Sequence, residues 1–283
     1  MTEIVNSCNI IGPDPRRVVL NLLRAAGGGT LSAPEAVKAG ALFGISQNSM
    51  RVTLARLSRA GLVETATRGV YRLGPAGRAI AADVAGWRDA EKRLAPWRGR
   101  WVAAATGGLP RSDRKALRAR GRALSMLGMR ELENGLYIRP DNFSGGVAVV
   151  RDRLAGLGLE HGAAVFAIDD LDPGRQAVAM ALWRADAGGE DYDHAAARLD
   201  ALAARAAAMP LDIAARETFL AGDAAIRRIV FDPLLPAPLA DEAARSAFIA
   251  AACRFDDLGR RIWDEFLGRD VRPGEPTRRA QGS

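Results

Sequence analysis

The segment Gly44–Val63 constrains the fold of this chain more than any other. Ser46 is a favourable helix N-cap, and Gly61 suits the left-handed conformation that ends many helices. Between them, apolar residues recur at helical spacing: Met50, Leu54 and Leu57. Because such a stripe must be buried against other elements, the sequence predicts a helix that is docked by one face and free on the other.

The free face of this predicted helix is polar and basic. Asn48, Val52, Ala55 and Arg59 lie on it, and Gln47, Arg51 and Arg56 lie on its flanks; of these, Gln47, Asn48, Arg51 and Arg56 are the amide and guanidinium side chains that we expect to contact DNA. A short docked helix that carries such groups after a glycine turn is typical of the recognition helix of a helix-turn-helix, which enters the major groove of DNA. We therefore predict DNA binding through these four residues.

Two further helices are predicted ahead of this segment. Residues 15–26 have apolar positions at helical spacing and form an amphipathic first helix. Ser32 and Glu35 have the spacing of a capping box, which predicts a second, short helix that runs to about Phe43. The three predicted helices together form a helix-turn-helix module.

A β-hairpin is predicted directly after the recognition helix. Two β-rich runs, 62–65 and 69–73, are joined by residues 66–68, which places Arg68 at the tip of a wing, within reach of a phosphate or the minor groove. Residues 1–75 are thus predicted to form a winged helix DNA-binding domain. The alternative is a winged helix used only for protein contacts or oligomerisation, and the polar and basic free face favours DNA.

Charge separates along the chain. Residues 1–75 carry 9 basic and 4 acidic side chains (net +5), residues 76–140 carry 14 and 6 (net +8), and residues 141–283 carry 17 and 23 (net −6). Arginine is common throughout, as in proteins from GC-rich genomes, so the separation of sign is more informative than the total. A basic first half favours a polyanionic partner.

The sequence offers little support for membrane or catalytic chemistry. Because it has no long apolar run and its first residues do not resemble a secretory signal, we expect a cytoplasmic protein with no membrane contact. Cys8 and Cys253 are expected to be reduced thiols, and His161 and His194 lack metal-ligand spacing. No phosphate-binding glycine loop follows a predicted strand. We therefore expect a protein that is not an enzyme and needs no metal or cofactor.

The rest of the chain predicts an α+β protein of two or three domains. Residues 76–96 are predicted to form a linker helix. The order strand, helix, strand, strand, helix, strand predicts a ferredoxin-like central domain over 97–185. Residues 186–268 predict a helical C-terminal domain, and 269–283 lacks apolar anchors, which predicts a disordered tail.

A group of aromatic and arginine residues marks a candidate ligand site. Its members are Trp97, Arg98, Arg100, Trp101, Tyr137, Arg139 and Trp183. Such a mixture suits a small molecule that carries both an aryl or adenine ring and phosphates. The alternative is that the tryptophans are packing anchors at a domain junction.

Four segments in order give the chain a family resemblance. They are Gly44–Leu62 (with Gly-Ile-Ser, Met-Arg-Val-Thr-Leu-Ala-Arg-Leu and Ala-Gly-Leu), Trp97-Arg-Gly-Arg-Trp101, Gly135-Leu-Tyr-Ile-Arg-Pro140 and Asp232-Pro-Leu-Leu-Pro236. In these the chain resembles the PaaX family of bacterial transcriptional repressors. The family usually continues past Leu-Leu-Pro with Trp-Pro-Gly, whereas Ala237–Asp241 stands here.

The resemblance implies a homodimer that binds double-stranded operator DNA as a repressor of a catabolic operon. It implies release by an acyl-coenzyme A thioester, phenylacetyl-coenzyme A being the family's type ligand. The departure at 237–241 leaves another metabolite, such as an aromatic acid, open as the effector. Two other interpretations are a ligand-independent DNA-binding protein and a metal-dependent nuclease. For the nuclease, Thr106–Gly108 supplies no aspartate at the end of the first ferredoxin-like strand.

Overall fold

The computed structural model describes residues 13–25, 29–183 and 192–269. Within these ranges the chain is α+β, with two antiparallel sheets, as the sequence predicts. It divides into two compact units: unit 1 holds the described residues up to Val84 together with 202–223 and those from Arg254 on, and unit 2 holds those of 85–201 with 224–253. No helix in the described ranges is long and apolar enough to cross a bilayer. Cys8 and the predicted tail from residue 270 lie outside the described residues.

Unit 1 begins with three helices and a three-stranded sheet. The elements in chain order are α1 (Pro15–Ala25), β1 (Thr30–Ser32), α2 (Ala33–Ala41), α3 (Gln47–Arg59), β2 (Val63–Thr67) and β3 (Val70–Leu73). The strands pair antiparallel in the order β1-β3-β2. The predicted capping box is present: the Ser32 hydroxyl accepts from the Glu35 amide, and the Glu35 carboxylate accepts from the Ser32 amide.

The core of unit 1 includes helices from the end of the chain. These helices are α8 (Tyr192–Ala206), α9 (Leu211–Val230) and α10 (Glu242–Leu267). Their residues in this core are Ala206, Ala214, Ala215, Phe219, Ile262, Trp263 and Phe266, which pack with the apolar faces of α1, α2 and α3. The early helices therefore bury their apolar faces partly against residues that lie about two hundred positions later in the chain.

The predicted linker helix over 76–96 is interrupted. Helix α4 runs over Pro75–Ala85 and is followed by a 3₁₀ segment, Gly86–Arg93, with a non-helical residue at Asp89. The change from α-helix to 3₁₀ helix occurs at Gly86.

Unit 2 is built on a four-stranded antiparallel sheet. Its elements in chain order are β4 (Trp101–Ala105), α5 (Arg114–Met126), β5 (Arg130–Glu133), β6 (Leu136–Pro140), α6 (Gly146–Gly156), β7 (Ala164–Ile168) and α7 (Pro173–Ala181). The strand order is β5-β6-β4-β7. This element order with this strand order is typical of a split βαβ unit. The N-cap of α5 is Asp113, whose side chain accepts from the Lys115 and Ala116 amides.

The two faces of this sheet carry different side chains. Trp101 lies opposite Pro140, and Ala103 lies opposite Ile138, so these residues share a face. That face packs against α7, Trp183 and Leu235. Helix α6 packs on β4 and β7.

The helical part after residue 186 is divided between the units. Helices α9 and α10 each have residues in both units. The physical reason is the distribution of apolar side chains: Phe219 and Trp263 belong to the unit 1 core, whereas Leu235 belongs to the core around Trp101.

Candidate nucleic-acid interface

Helix α3 is docked by the face that its sequence predicts. The Ser46 hydroxyl accepts from the Ser49 amide at 3.2 Å and caps the helix, and the three predicted apolar residues are buried in the unit 1 core: Met50, Leu54 and Leu57. Helices α2 and α3 approach closely, because a Cβ at Gly40 would lie 2.6 Å from Met50 Cγ. The orientation of α3 is thus fixed by its packing.

The opposite face of α3 is exposed. All four predicted DNA-binding residues lie on it or on its flanks: Gln47, Asn48, Arg51 and Arg56. Val52, 40% exposed, Ala55 and Arg59 extend the same surface. The structure gives Arg51, Arg56 and Arg59 no ion pair or side-chain hydrogen bond with other described residues. These guanidinium groups are therefore available to an external anion or base edge.

The hairpin of β2 and β3 supplies a further cation that forms no ion pair with another described residue. Arg68 and Gly69 form its turn, in which Gly69 has a φ of 77°, and the Arg68 side chain is exposed at the tip. Further down the hairpin, Glu64 forms ion pairs with Arg72 at 2.7 Å and Arg78 at 3.2 Å. The hydrogen bond from Arg72 lowers the pKa of Glu64 below its ordinary value. The hairpin therefore keeps its free positive charge at the tip.

The candidate ligand residues do not form one cluster. Trp97, Trp101 and Trp183 meet on one face of the unit 2 sheet, with ring centroids 5.1 Å apart for the first pair and 5.9 Å for the second. Tyr137 and Arg139 belong to the other face, since they lie opposite Ala104 and Val102. The sheet itself separates the two groups.

The contacts of the tryptophans favour the packing alternative. Trp101 donates from Nε1 to Gln176 Oε1 at 3.0 Å, and Trp183 donates from Nε1 to the Gly128 carbonyl at 3.1 Å. Both indoles are buried, whereas Trp97 is half-buried, and Arg98 and Arg100 are exposed. Arg100 pairs with Asp169 at 2.6 Å. Of the seven candidates, Trp97, Arg98 and Arg100 are the ones that an incoming ligand can reach from this side.

Arg139 lies in the interior and is 1% exposed. Its guanidinium donates to the carbonyls of Leu127, Pro140 and Pro233 and to Asn142 Oδ1. Burial, with the nearby Arg153, lowers the pKa of Arg139 to about 9. These contacts give Arg139 an internal role in holding the chain near Pro233.

Three side chains hold three successive carbonyls of the segment 232–236. Arg139 bonds Pro233, Asn142 bonds Leu234 at 2.7 Å, and Arg245 bonds Leu235 at 2.6 Å. Sequence reasoning missed Asn142 and Arg245. The signal available for them is indirect: Asn142 follows the Gly135–Pro140 motif by two residues, so two of the segments that carry the family resemblance meet here.

Comparison with known proteins places the late helices in a family. Residues 183–265 match the model of the PaaX-like protein C-terminal domain. This chain carries a PaaX-like C-terminal domain. Members of the PaaX family are transcriptional regulators. The resemblance predicted from sequence motifs is thus confirmed.

One solved structure is similar over nearly the whole chain. It is that of the uncharacterized protein Rv0674 from Mycobacterium tuberculosis, with 25% sequence identity and a TM-score of 0.60, covering 89% of this chain and 98% of that chain. No curated protein matches the sequence. Within the described ranges, no group of three or more His, Cys, Asp or Glu residues is placed to hold a metal ion.

Proposed function

We propose that the protein is a transcriptional repressor of a catabolic operon, and that unit 1 is a winged helix that binds double-stranded operator DNA. The observation that carries this proposal is the exposed face of α3, where arginines that have no partner among the described residues lie beside amide side chains on a helix docked by its apolar face. The PaaX-like C-terminal domain supports it independently, because the family regulates transcription.

In this proposal α3 reads bases in the major groove. Arginine bonds two acceptors on guanine, asparagine and glutamine bond adenine, and an exposed apolar group such as Val52 contacts a thymine methyl. Arg68 contributes from the wing through a phosphate or the minor groove, and so adds affinity with little sequence information.

The regulatory part of the proposal is a linkage between effector and DNA. A homodimer presents two copies of α3 to two half-sites. An acyl-coenzyme A thioester or an aromatic acid releases the DNA if it binds more tightly to a conformer in which the two helices no longer match those half-sites. Trp97, Arg98 and Arg100 offer a ring and two cations at the surface of unit 2 and are the first residues to test for effector contact.

Two substitutions test the DNA site. Arg51→Ala is expected to cost about 1–3 kcal/mol of operator binding and to relax preference at one position of each half-site. Arg68→Ala is expected to weaken operator and random DNA alike and to lower the salt dependence of binding. Mobility shifts with the gene's own upstream region and with a random duplex measure both effects. Arg261→Ala, which removes an exposed arginine from α10, is the control.

The result that refutes the proposal is specific. If the wild-type protein shows no preference for the upstream fragment, or if Arg51→Ala keeps the full preference of the wild type, α3 is not the reading helix. The effector is sought by thermal shift against thioesters and free acids of the neighbouring pathway. A ligand at 100 times its dissociation constant should stabilise the protein by about 2.7 kcal/mol.

A further inference from the structure

A second basic surface lies on unit 2, far in sequence from α3. Its five cations follow one stripe along and just before α5: Arg111, Arg114, Lys115, Arg118 and Arg122. An α-helix turns by about 100° per residue, so the spacing of Arg114, Lys115, Arg118 and Arg122 places all four within about 100° of one another around the helix axis. All five side chains are exposed. We call this surface the α5 stripe.

The charges of the α5 stripe are not compensated internally. None of the five forms an ion pair or a side-chain hydrogen bond with another residue of the described ranges. In contrast, Arg120 on the opposite side of the helix is buried, and its guanidinium donates to the Glu160 carboxylate and to the Pro110 carbonyl. Asp113 lies nearby, but it caps the helix by accepting from the Lys115 and Ala116 amides.

This arrangement is unfavourable for the isolated protein. Arg114, Arg118 and Arg122 are spaced four residues apart, and like charges at that spacing destabilise a helix. The arginine-rich composition of the chain does not account for it, because residues 141–283 carry 17 basic and 23 acidic side chains and are net acidic. An external polyanion would remove the repulsion.

We propose that the α5 stripe binds the phosphate backbone of duplex DNA; the inference rests on the proposed function. Arg114 to Arg122 spans about 12 Å at 1.5 Å per residue. A duplex presents about one phosphate per 1.7 Å of axis, counting both strands, so that length faces several phosphates.

Other anionic partners fit the α5 stripe less well. A membrane-surface helix needs large apolar side chains beside its cations, and none of the exposed large hydrophobic residues of the described ranges lies between 111 and 126. A protein interface usually has an apolar or aromatic centre, which is also lacking at this surface. Phosphate recognition needs only the cations that are present.

The test compares two triple variants with equal loss of charge. The first is Arg114→Gln, Arg118→Gln and Arg122→Gln in the α5 stripe. The control is Arg205→Gln, Arg227→Gln and Arg261→Gln, three exposed helical arginines elsewhere. Binding of the full-length protein to the upstream fragment and to a random duplex is measured over a series of salt concentrations. Circular dichroism and thermal unfolding check the fold of each variant.

The α5 variant is expected to lose at least about tenfold in affinity near 0.1 M salt for both DNAs, with the preference between them kept. The slope of log K against log salt should become shallower by up to about 2.7, or 0.9 per lost phosphate contact. Its melting temperature should stay the same or rise, since repulsion is removed. The control variant should leave the slope unchanged.

The inference is overturned if the α5 variant binds both DNAs with the slope of the control. The proposed function is judged separately, by the preference for the upstream fragment and its loss in Arg51→Ala. If the triple variant melts early, Arg118→Glu alone replaces it, and that single reversal must lower affinity for random DNA and reduce the salt slope for the inference to stand.

Discussion

Phe219 links the late helices to the core of unit 1 and allows a quantitative test of that packing. Its ring lies 5.0 Å from the ring of Phe43 and 5.7 Å from that of Trp263, and the residue is 9% exposed. Phe→Ala in a core costs about 3–5 kcal/mol through lost transfer free energy and the cavity that remains. Because the site still touches solvent and can partly refill, we expect Phe219→Ala to cost about 3 kcal/mol, or roughly 150-fold in the folding equilibrium of unit 1.

The assay separates the two units by their tryptophans. Trp263 lies in unit 1, whereas Trp87, Trp97, Trp101 and Trp183 lie in unit 2. In protein labelled with 5-fluorotryptophan, the ¹⁹F resonance of Trp263, assigned with Trp263→Phe, follows unit 1 through a urea titration. We expect Phe219→Ala to lower the midpoint of that resonance by roughly 1–3 M urea.

A matched control uses Phe231, the residue that directly follows α9. Phe231 is 54% exposed, so Phe231→Ala should change the stability of either unit by about 0.5 kcal/mol or less. If the Trp263 resonance keeps its wild-type midpoint in Phe219→Ala, or if Phe231→Ala lowers it equally, the packing of α9 in the unit 1 core is refuted.

Two further substitutions test local contacts. Glu35 accepts from Arg269 at 2.7 Å and from the Ser32 amide; burial opposes ionisation, but these bonds prevail and lower its pKa. Glu35→Gln should therefore cost about 1 kcal/mol at neutral pH. A carboxylate whose pKa is lowered in the folded state stabilises the protein at pH values above its unfolded-state pKa. In thermal melts over a pH series, the stability difference between Glu35→Gln and the wild type should therefore fade as the pH drops below about 4.5. A difference that stays constant with pH would contradict the ion pair. Gly128 has a φ of 64°, and a Cβ there would lie 2.3 Å from Pro233 Cβ. Gly128→Ala should therefore lower the free energy of unfolding of unit 2 by about 1–3 kcal/mol, measured by urea unfolding. An unchanged stability would show that the segment at Pro233 is not tightly held.

The local part of this structure was predictable because its signals are local. Ser46 and Ser32 cap their helices, and the spacing of Met50, Leu54 and Leu57 identifies the buried face of α3. The same spacing leaves Arg51 and Arg56 on the outside. Helix α7 was missed although a signal was present: Asp172 is its N-cap, and Pro173 is its first residue.

The remainder depends on residues far apart in sequence. An arginine in a motif suggests surface charge, whereas Arg139 is buried because its guanidinium donates to acceptors distant in sequence, such as the carbonyls of Leu127 and Pro233. The separation of Tyr137 from Trp101 follows from strand register, since one residue of offset moves a side chain to the other face of a sheet. Trp263 packs in the same core as Leu22, and no local sequence pattern predicts this packing between distant segments.

The route of the chain through unit 1 restricts how this protein can be engineered. Regulators with tandem domains accept a new DNA-binding domain by simple exchange at a linker. Here a chimaera cut after Val84 would leave α1–α3 without the side chains of Phe219, Trp263 and Phe266, and would expose those rings on the remaining fragment. Under the proposed function, a transplant of DNA specificity therefore has two sound designs: it either replaces only the outward residues of α3, or carries residues 202–223 and 254–269 together with the N-terminal part.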